Sequence, residues 1–435
     1  MEWWLVFVIA FGSLLIFFTT GVPVAFCFLG LDIIGLYLLF GERGMSLLTE
    51  SMVESVATFT MSPLPMFVFL GEIFFQSRVV DIAFEAIDKW IGTVRARLHI
   101  VALIFATIYG AISGSGMAMA AVMGSGLLPD MVKRGYDKKL SLGVIMGGAT
   151  LDPLIPPSVA AVLVASLANI SVAKLLISGF GPGFMYAAMF IIYVLIVVKI
   201  RPEMAPLYAS PSTLREKLFS VVQMFPFAAI IFLVLGLMML GVATPTESAG
   251  LGAFASLVLA ACLGRVNYKM LRNSLLTTVK VSAMMLLIIA SSKAFSQILA
   301  ISGATRSLVT VVQDAGLSPL ALLIVLQAIP LVLGCLIDPV SIMMMTIPVY
   351  LPLVEAAHFD PLWFWCLYLV VITIGSITPP FGIVLFTLKA SAPNTSLKEV
   401  YAASLPFVFM VLVGMVLMVI FPQIATWIPS IFASG

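Results

Sequence analysis

Two short stretches hold the side chains able to do chemistry in an otherwise apolar chain. "GGATLDPLIPPS" (147–158) sets Asp152 among glycines, prolines and hydroxyls, and "GCLIDP" (334–339) sets Asp338 beside Pro339. A third stretch, "IGSITPPFG" (374–382), repeats the paired prolines without the carboxylate. Proline lacks an N–H and clashes with the preceding turn, so two in a row end a helix. The carbonyls thus freed, with nearby hydroxyls and carboxylates, are the oxygen donors that a hard cation such as Na+ requires.

The surrounding chain is membrane protein. Of 435 residues, 62% are hydrophobic and only 10% charged, where a soluble domain is about a quarter charged. The net charge of +2, with no basic patch, offers nothing to nucleic acid. Cys27, Cys262, Cys335 and Cys366 are scattered, and His99 and His358 stand apart, so neither a disulfide framework nor a metal cluster is expected. No cleavable signal peptide is expected. Apolar stretches long enough to cross or nearly cross a bilayer run approximately over 3–18, 21–40, 63–76, 175–198, 218–241, 249–263, 275–299 and 400–421. Two longer regions, 99–168 and 317–391, are apolar but interrupted.

Those two regions repeat each other. Pro129 and Pro352, Asp137 and Asp360, and Pro156 and Pro379 are each 223 residues apart, and Pro23/Pro245, Gly30/Gly252, Pro182/Pro406 and Asn169/Asn394 keep nearly the same offset. Two halves follow, 1–199 and 218–427, joined by a polar linker over 200–217. The basic loop Lys133–Lys139 belongs inside, whereas its counterpart Glu355–Pro361 has no Lys or Arg and belongs outside. The halves are therefore expected upside down, with both chain ends on the periplasmic side. Each interrupted region resolves into a re-entrant hairpin (about 100–130 and 319–354) and a broken span (about 140–168 and 362–391). The hairpin tips fall at "GAISGSG" (110–116) and "GCLIDP", and segments 78–98 and 302–316 read as amphipathic connectors. The expected fold class is an all-α polytopic membrane protein with two inverted structural repeats, each with a re-entrant hairpin and a broken transmembrane helix, a build typical of secondary transporters.

Each intramembrane carboxylate costs about 2.5–3.5 kcal/mol at mid-membrane, so each is a site candidate by default. Asp338 at a tip reads as a coupling group or a hairpin cap, and Asp152 at a break as a coupling group or a helix cap. Glu247 in "TPTES" reads as a helix cap, a bond to the hairpin or a ligand contact. Glu72 and Asp32 read as interhelical or partner-subunit bonds, and Lys293 as a carboxylate partner, a snorkelling lysine or a substrate contact. The methionine run "SIMMMTIP" reads as packing. Two tips meeting two breaks is the chemistry of a cation-coupled anion carrier, with the substrate expected against Ser115, Gly116, Ser158, Asp338 and Pro380.

The motifs "GAISGS" (110–115), "LPDMVKRGYDKK" (128–139), "LIPPS" (154–158), "GVATPTESAG" (241–250), "IDPVSIMMMTIPVYLP" (337–352) and "IGSITPPFG" together resemble the large membrane (M) subunit of tripartite ATP-independent periplasmic (TRAP) transporters, the DctM-like permeases. The resemblance implies an elevator-type ion-transporter fold: a Na+-driven importer of an organic acid in the bacterial inner membrane, working by an elevator mechanism. It implies a small four-helix membrane subunit and a periplasmic substrate-binding protein as partners. It maps one Na+ site to Gly334, Gly375, Thr378 and Phe381, with Asp338 beside it, and a second to Gly110, Ser113, Asp152, Ile155 and Ser158. The chain departs from the family at "SGSGMAM" (113–119), where hydroxyls are lost, and at Asp152, where the family often has Gly. The Asp152 carboxylate is expected to replace the lost oxygens. A stand-alone Na+/dicarboxylate symporter of related fold is the alternative. No HExxH or GxSxG motif supports an enzyme, and no P-loop supports ATP use. One charge moving across 100 mV is worth about 2.3 kcal/mol, enough for several Na+ to drive accumulation.

Overall fold

The computed structural model describes residues 2–91, 94–206 and 213–432, and every regular element in them is a helix. The first half opens with α1 (Trp3–Thr19), α2 (Val24–Phe40), α3 (Glu42–Val56) and α4 (Pro63–Gln76), followed by the amphipathic α5 (Val80–Ile91). A hairpin follows: α6 (Arg97–Ser113) enters, and α7 (Gly116–Val122), a π-helical stretch (Met123–Leu127) and α8 (Leu128–Lys133) return. The broken span is α9 (Lys138–Ala149) and α10 (Val159–Leu167), and α11 (Val172–Ser178) and α12 (Phe180–Ile200) close the half.

The second half repeats the order. It runs α13 (Leu214–Met239), α14 (Pro245–Cys262), the 34-residue α15 (Tyr268–Ile301) and the amphipathic α16 (Ala304–Asp314). The second hairpin is α17 (Pro319–Gly334) and α18 (Pro339–Ala356). The second broken span is α19 (Pro361–Ser376) and α20 (Ile383–Ser391), and α21 (Leu397–Ile420) and α22 (Gln423–Phe432) end the chain.

The duplication is written in the backbone. Both Pro156–Pro157 and Pro379–Pro380 peptide bonds are cis. Positive φ recurs at Gly41 and Gly264, Gly135 and His358, Asn169 and Asn394, and Arg78 and Gly303, pairs 223 or 225 residues apart. Asp137 and Asp360 each cap the helix that follows, accepting from Leu140 N at 2.7 Å and Trp363 N at 2.9 Å. Where a two-fold axis relates two halves, a residue on the axis meets its own counterpart. Thr373 Oγ1 approaches Thr150 O to 3.4 Å across the 223-residue offset, so the axis passes between the two breaks.

The inversion follows from counting crossings. Between the first hairpin and the second lie the α9–α10 span, the α11–α12 span, α13, α14 and α15. Five crossings are an odd number, so the second hairpin opens on the face opposite the first. The helices that lead into the breaks are the best covered: every residue of α9 from Leu140 to Ala149 and of α19 from Trp363 to Ser376 is buried. The first break is buried or half-buried throughout, whereas Pro380 and Phe381 of the second are exposed. Unwound backbone at membrane depth is tolerated where it is buried in protein or lines a cavity.

The structure differs from the sequence reading at four places. α3 is a helix that was not expected. α15 continues well before residue 275 as one helix, whereas its counterpart is divided into α3 and α4 around residues 57–62. The span starting near Leu175 is divided at Gly179, where a Cβ would lie 2.1 Å from Leu154 O. α22 (Gln423–Phe432) is a further helix after the last expected span, 400–421. Residues 207–212 of the linker lie outside the described residues.

Single cysteines in a background without the four native ones test the inversion. With a membrane-impermeant thiol reagent, His358→Cys should react in intact cells and Lys133→Cys only in inside-out vesicles, both being at exposed positions. Labelling of both from one side would contradict two inverted halves.

Candidate functional site

The two tips and two breaks enclose one cavity of about 560 Å³, lined also by α2, α4 and α15. Each tip is built by a capped return helix. In the second half Asp338 accepts from Val340 N at 3.0 Å and Ser341 N at 3.1 Å, and the Ser341 hydroxyl also donates to it. In the first half the equivalent cap is Ser115, which accepts from Ala118 N at 3.2 Å. The carboxylate of that half comes from the break instead: Asp152 stands against the start of α7, its Oδ2 3.4 Å from where a Cβ on Gly116 would lie. A charged group at a helix start is favoured by the helix dipole and the unpaired N–H groups there.

Each break presses on its own tip at a fixed point. Gly334 and Gly375 sit backbone to backbone, since a Cβ built on Gly375 would lie 2.5 Å from Gly334 Cα. The pseudo-symmetric pair is Gly110 and Asp152, where a Cβ on Gly110 would lie 2.8 Å from Asp152 Cβ. One half thus has Gly on Gly, and the other Gly on Asp, at the same contact. The carboxylate has changed places between halves, from the tip (Asp338, opposite Ser115) to the break (Asp152, opposite Gly375).

The remaining expected site residues fall around this frame. Ser115, Gly116, Asp152 and Asp338 line the cavity. Ser158 is buried and caps α10, accepting from Ala161 N at 3.2 Å, and it does not line the cavity. Ile155 lies in the first break, where its N–H donates to Leu151 O at 3.1 Å. Thr378 turns its hydroxyl to Ile374 O at 2.7 Å, and the Pro380 carbonyl accepts from the Tyr401 hydroxyl. The Phe381 side chain is exposed. The side chain of Ser113 lies outside the described residues.

The other intramembrane charges sort as follows, with Glu247 in the expected helix-cap role. Glu247 closes a capping box with Thr244 at the start of α14. Asp32 is wholly buried on α2 with neither oxygen in a hydrogen bond, so the expected interhelical bond is not made. Lys293 is exposed and does not line the cavity. Glu72 lines the cavity from α4 and accepts from Gln76 Nε2 at 3.2 Å on its own helix. Sequence reasoning had flagged Glu72 as an intramembrane carboxylate but could not aim it. Phe75 and Tyr109, its neighbours on the cavity wall, carried no signal apart from being aromatic.

The family described as "Tripartite ATP-independent periplasmic transporter, DctM component" matches residues 11–424. The chain belongs to that family. It is 28% identical over 425 residues to the ectoine TRAP transporter large permease protein TeaC of Halomonas elongata, covering 96% of each chain. It is 29% identical to the C4-dicarboxylate TRAP transporter large permease protein DctM of Pseudomonas aeruginosa, over 90% of this chain and 91% of that one. It is 28% identical to the sialic acid TRAP transporter permease protein SiaT of Haemophilus influenzae, over 88% of this chain and 62% of that one. The crystal structure of the Alcanivorax borkumensis YdaH transporter shares the fold, with a TM-score of 0.66 over 90% of each chain at 14% identity. The cavity between tips and breaks is therefore described in a DctM-family permease.

Tight tip-to-break contacts make a testable asymmetry. Gly375→Ala should destabilise the permease by about 1–3 kcal/mol through overpacking and abolish uptake, with no single partner change able to relieve it. Gly110→Ala should be relieved by adding Asp152→Gly, which removes the atom that its Cβ would strike. Thermal unfolding of the single and double variants, with uptake by Gly375→Ala, checks both outcomes.

Proposed function

We propose that this chain is the permease subunit of a TRAP transporter that imports an organic acid across the bacterial inner membrane, driven by co-transported Na+. The observation that carries the reading is the meeting of both tips and both breaks around one cavity at the pseudo-two-fold axis. Na+ is cargo here, and the donors available to it are main-chain oxygens at each break together with Asp152 and Asp338. Gly334 and Gly375 would frame one cation site. Gly110 and Asp152 would frame the other, where the carboxylate supplies what the loss of hydroxyls in "SGSGMAM" removes.

The mechanism that suits this build is an elevator. Hairpins α6–α8 and α17–α18 and the two broken spans would move as one body against α2, α4 and α15, carrying the cavity between faces. Relatives of this chain are named for ectoine, C4-dicarboxylates and sialic acid, which are organic acids of different size. A small membrane subunit and a periplasmic binding protein complete the tripartite arrangement that the family name describes.

Proteoliposomes holding the permease with its small membrane subunit test the proposal. Uptake should require both an inward Na+ gradient and added binding protein, and should stop when K+ replaces Na+. Uptake without binding protein would favour a stand-alone symporter. Asp152→Asn should raise the Na+ concentration for half-maximal uptake by about tenfold, as expected for losing one charge-assisted oxygen. An unchanged Na+ response would remove Asp152 from the cation site.

A further inference from the structure

The cavity's charges are one-sided. Glu72, Asp152 and Asp338 line it, and among the described residues no Lys, Arg or His does. The anion-attracting helix starts at the tips are already taken, because Asp338 occupies that of α18 and Asp152 that of α7. Sodium at the breaks answers the two aspartates, but it leaves Glu72 unanswered. Glu72 belongs to neither a tip nor a break, stands on α4, and its hydrogen bond is to a neutral amide on its own helix.

Next to Glu72 the wall is aromatic. Phe75 lies one helical turn further along α4, and Tyr109 faces it from α6, with the two rings edge to face at 5.6 Å. A carboxylate flanked by aromatic rings in a site of low dielectric is the chemistry that receives an organic cation, through charge and through the negative face of a ring. Most of the remaining wall is apolar, including Val68, Met285, Ile288 and Met343. A small organic solute fits a cavity of this size.

From these observations we infer that the solute carried by this permease is a zwitterion, with its cationic nitrogen held by Glu72 against the aromatic pair of Phe75 and Tyr109. This rests on the reading above, which supplies the carboxylate; the cavity adds the positive nitrogen. A dianion without such a nitrogen would face Glu72 with like charge and no cation to compensate it. The corner is thus a specificity device within the transport site: it selects for ammonium, amidinium or quaternary ammonium groups and against simple dicarboxylates.

The test uses the permease with its small membrane subunit in nanodiscs containing Na+, without binding protein, so that the permease's own preference is read. The probes are ectoine, glycine betaine and γ-aminobutyrate as zwitterions, and succinate as the dianion. The zwitterions should raise the unfolding temperature and succinate should not. Glu72→Gln should weaken zwitterion binding by about tenfold or more while keeping the ligand-free unfolding temperature. Phe75→Leu, which keeps the charge, should weaken glycine betaine most. Stabilisation by succinate alone, or unaltered zwitterion binding in Glu72→Gln and Phe75→Leu, would overturn the inference. Na+-driven uptake of succinate at full rate by the unaltered permease would overturn it too, yet leave the transport reading standing. Absence of Na+-driven uptake of any solute would sink that reading instead.

Discussion

In lipid a backbone amide has no water to turn to, and this constraint orders the rest of the molecule. Two helices are nevertheless cut at membrane depth, and the cut ends are answered locally. The Thr150 hydroxyl bonds Gly147 O at 2.8 Å, the Ser376 hydroxyl bonds Thr373 O at 2.6 Å, and Thr378 bonds Ile374 O. The hydroxyls that made "GGAT" and "IGSIT" look like ion ligands are thus bound to their own helix ends. Each hydroxyl gives its hydrogen to the helix end and keeps its oxygen lone pairs, which stand beside main-chain oxygen and carboxylate as donors to a cation. Each cut is met by its own hairpin tip, Gly375 by Gly334 and Asp152 by Gly110.

The two halves follow one plan but not one chemistry. Backbone turns, proline pairs and caps recur at a nearly constant offset, while the charged group at each tip-and-break contact does not. Asp338 bonds within its own hairpin, whereas Asp152 reaches from the break to the tip. The first tip therefore meets its broken span at a charged group, and the second only through the fit of two glycines. The two sites resemble each other in outline and differ in which part supplies the charge.

Much of this was legible in the sequence because it rests on residues with strong local consequences. Pro156–Pro157 and Pro379–Pro380 announce the breaks, and Asp137 and Asp360 announce helix starts. The spacing between halves announces the duplication. What stayed hidden depends on direction rather than type. Glu72 was visible as a carboxylate in oil, but only packing decides which wall of α4 faces the cavity. α3 escaped because "ERGMSLLTESMVESV" is too polar for a span, although its apolar residues fall on one side of a helix. The π-helical turn at Met123–Leu127 escaped because "MGSGL" reads as a loop. Asp32 shows the limit from the other side: its burial was foreseeable, its lack of a hydrogen-bonded partner was not.

The unbroken α15 has a geometric consequence of its own. Its 34 residues rise about 51 Å at 1.5 Å each, against a hydrocarbon layer of about 30 Å. Even leaning at about 40°, the steep end of what membrane helices adopt, it would span about 39 Å and still emerge from the oil. The first-turn end carries Lys269 and Arg272, both exposed. That end therefore stands among headgroups as a positively charged post, and anionic lipids gather around it.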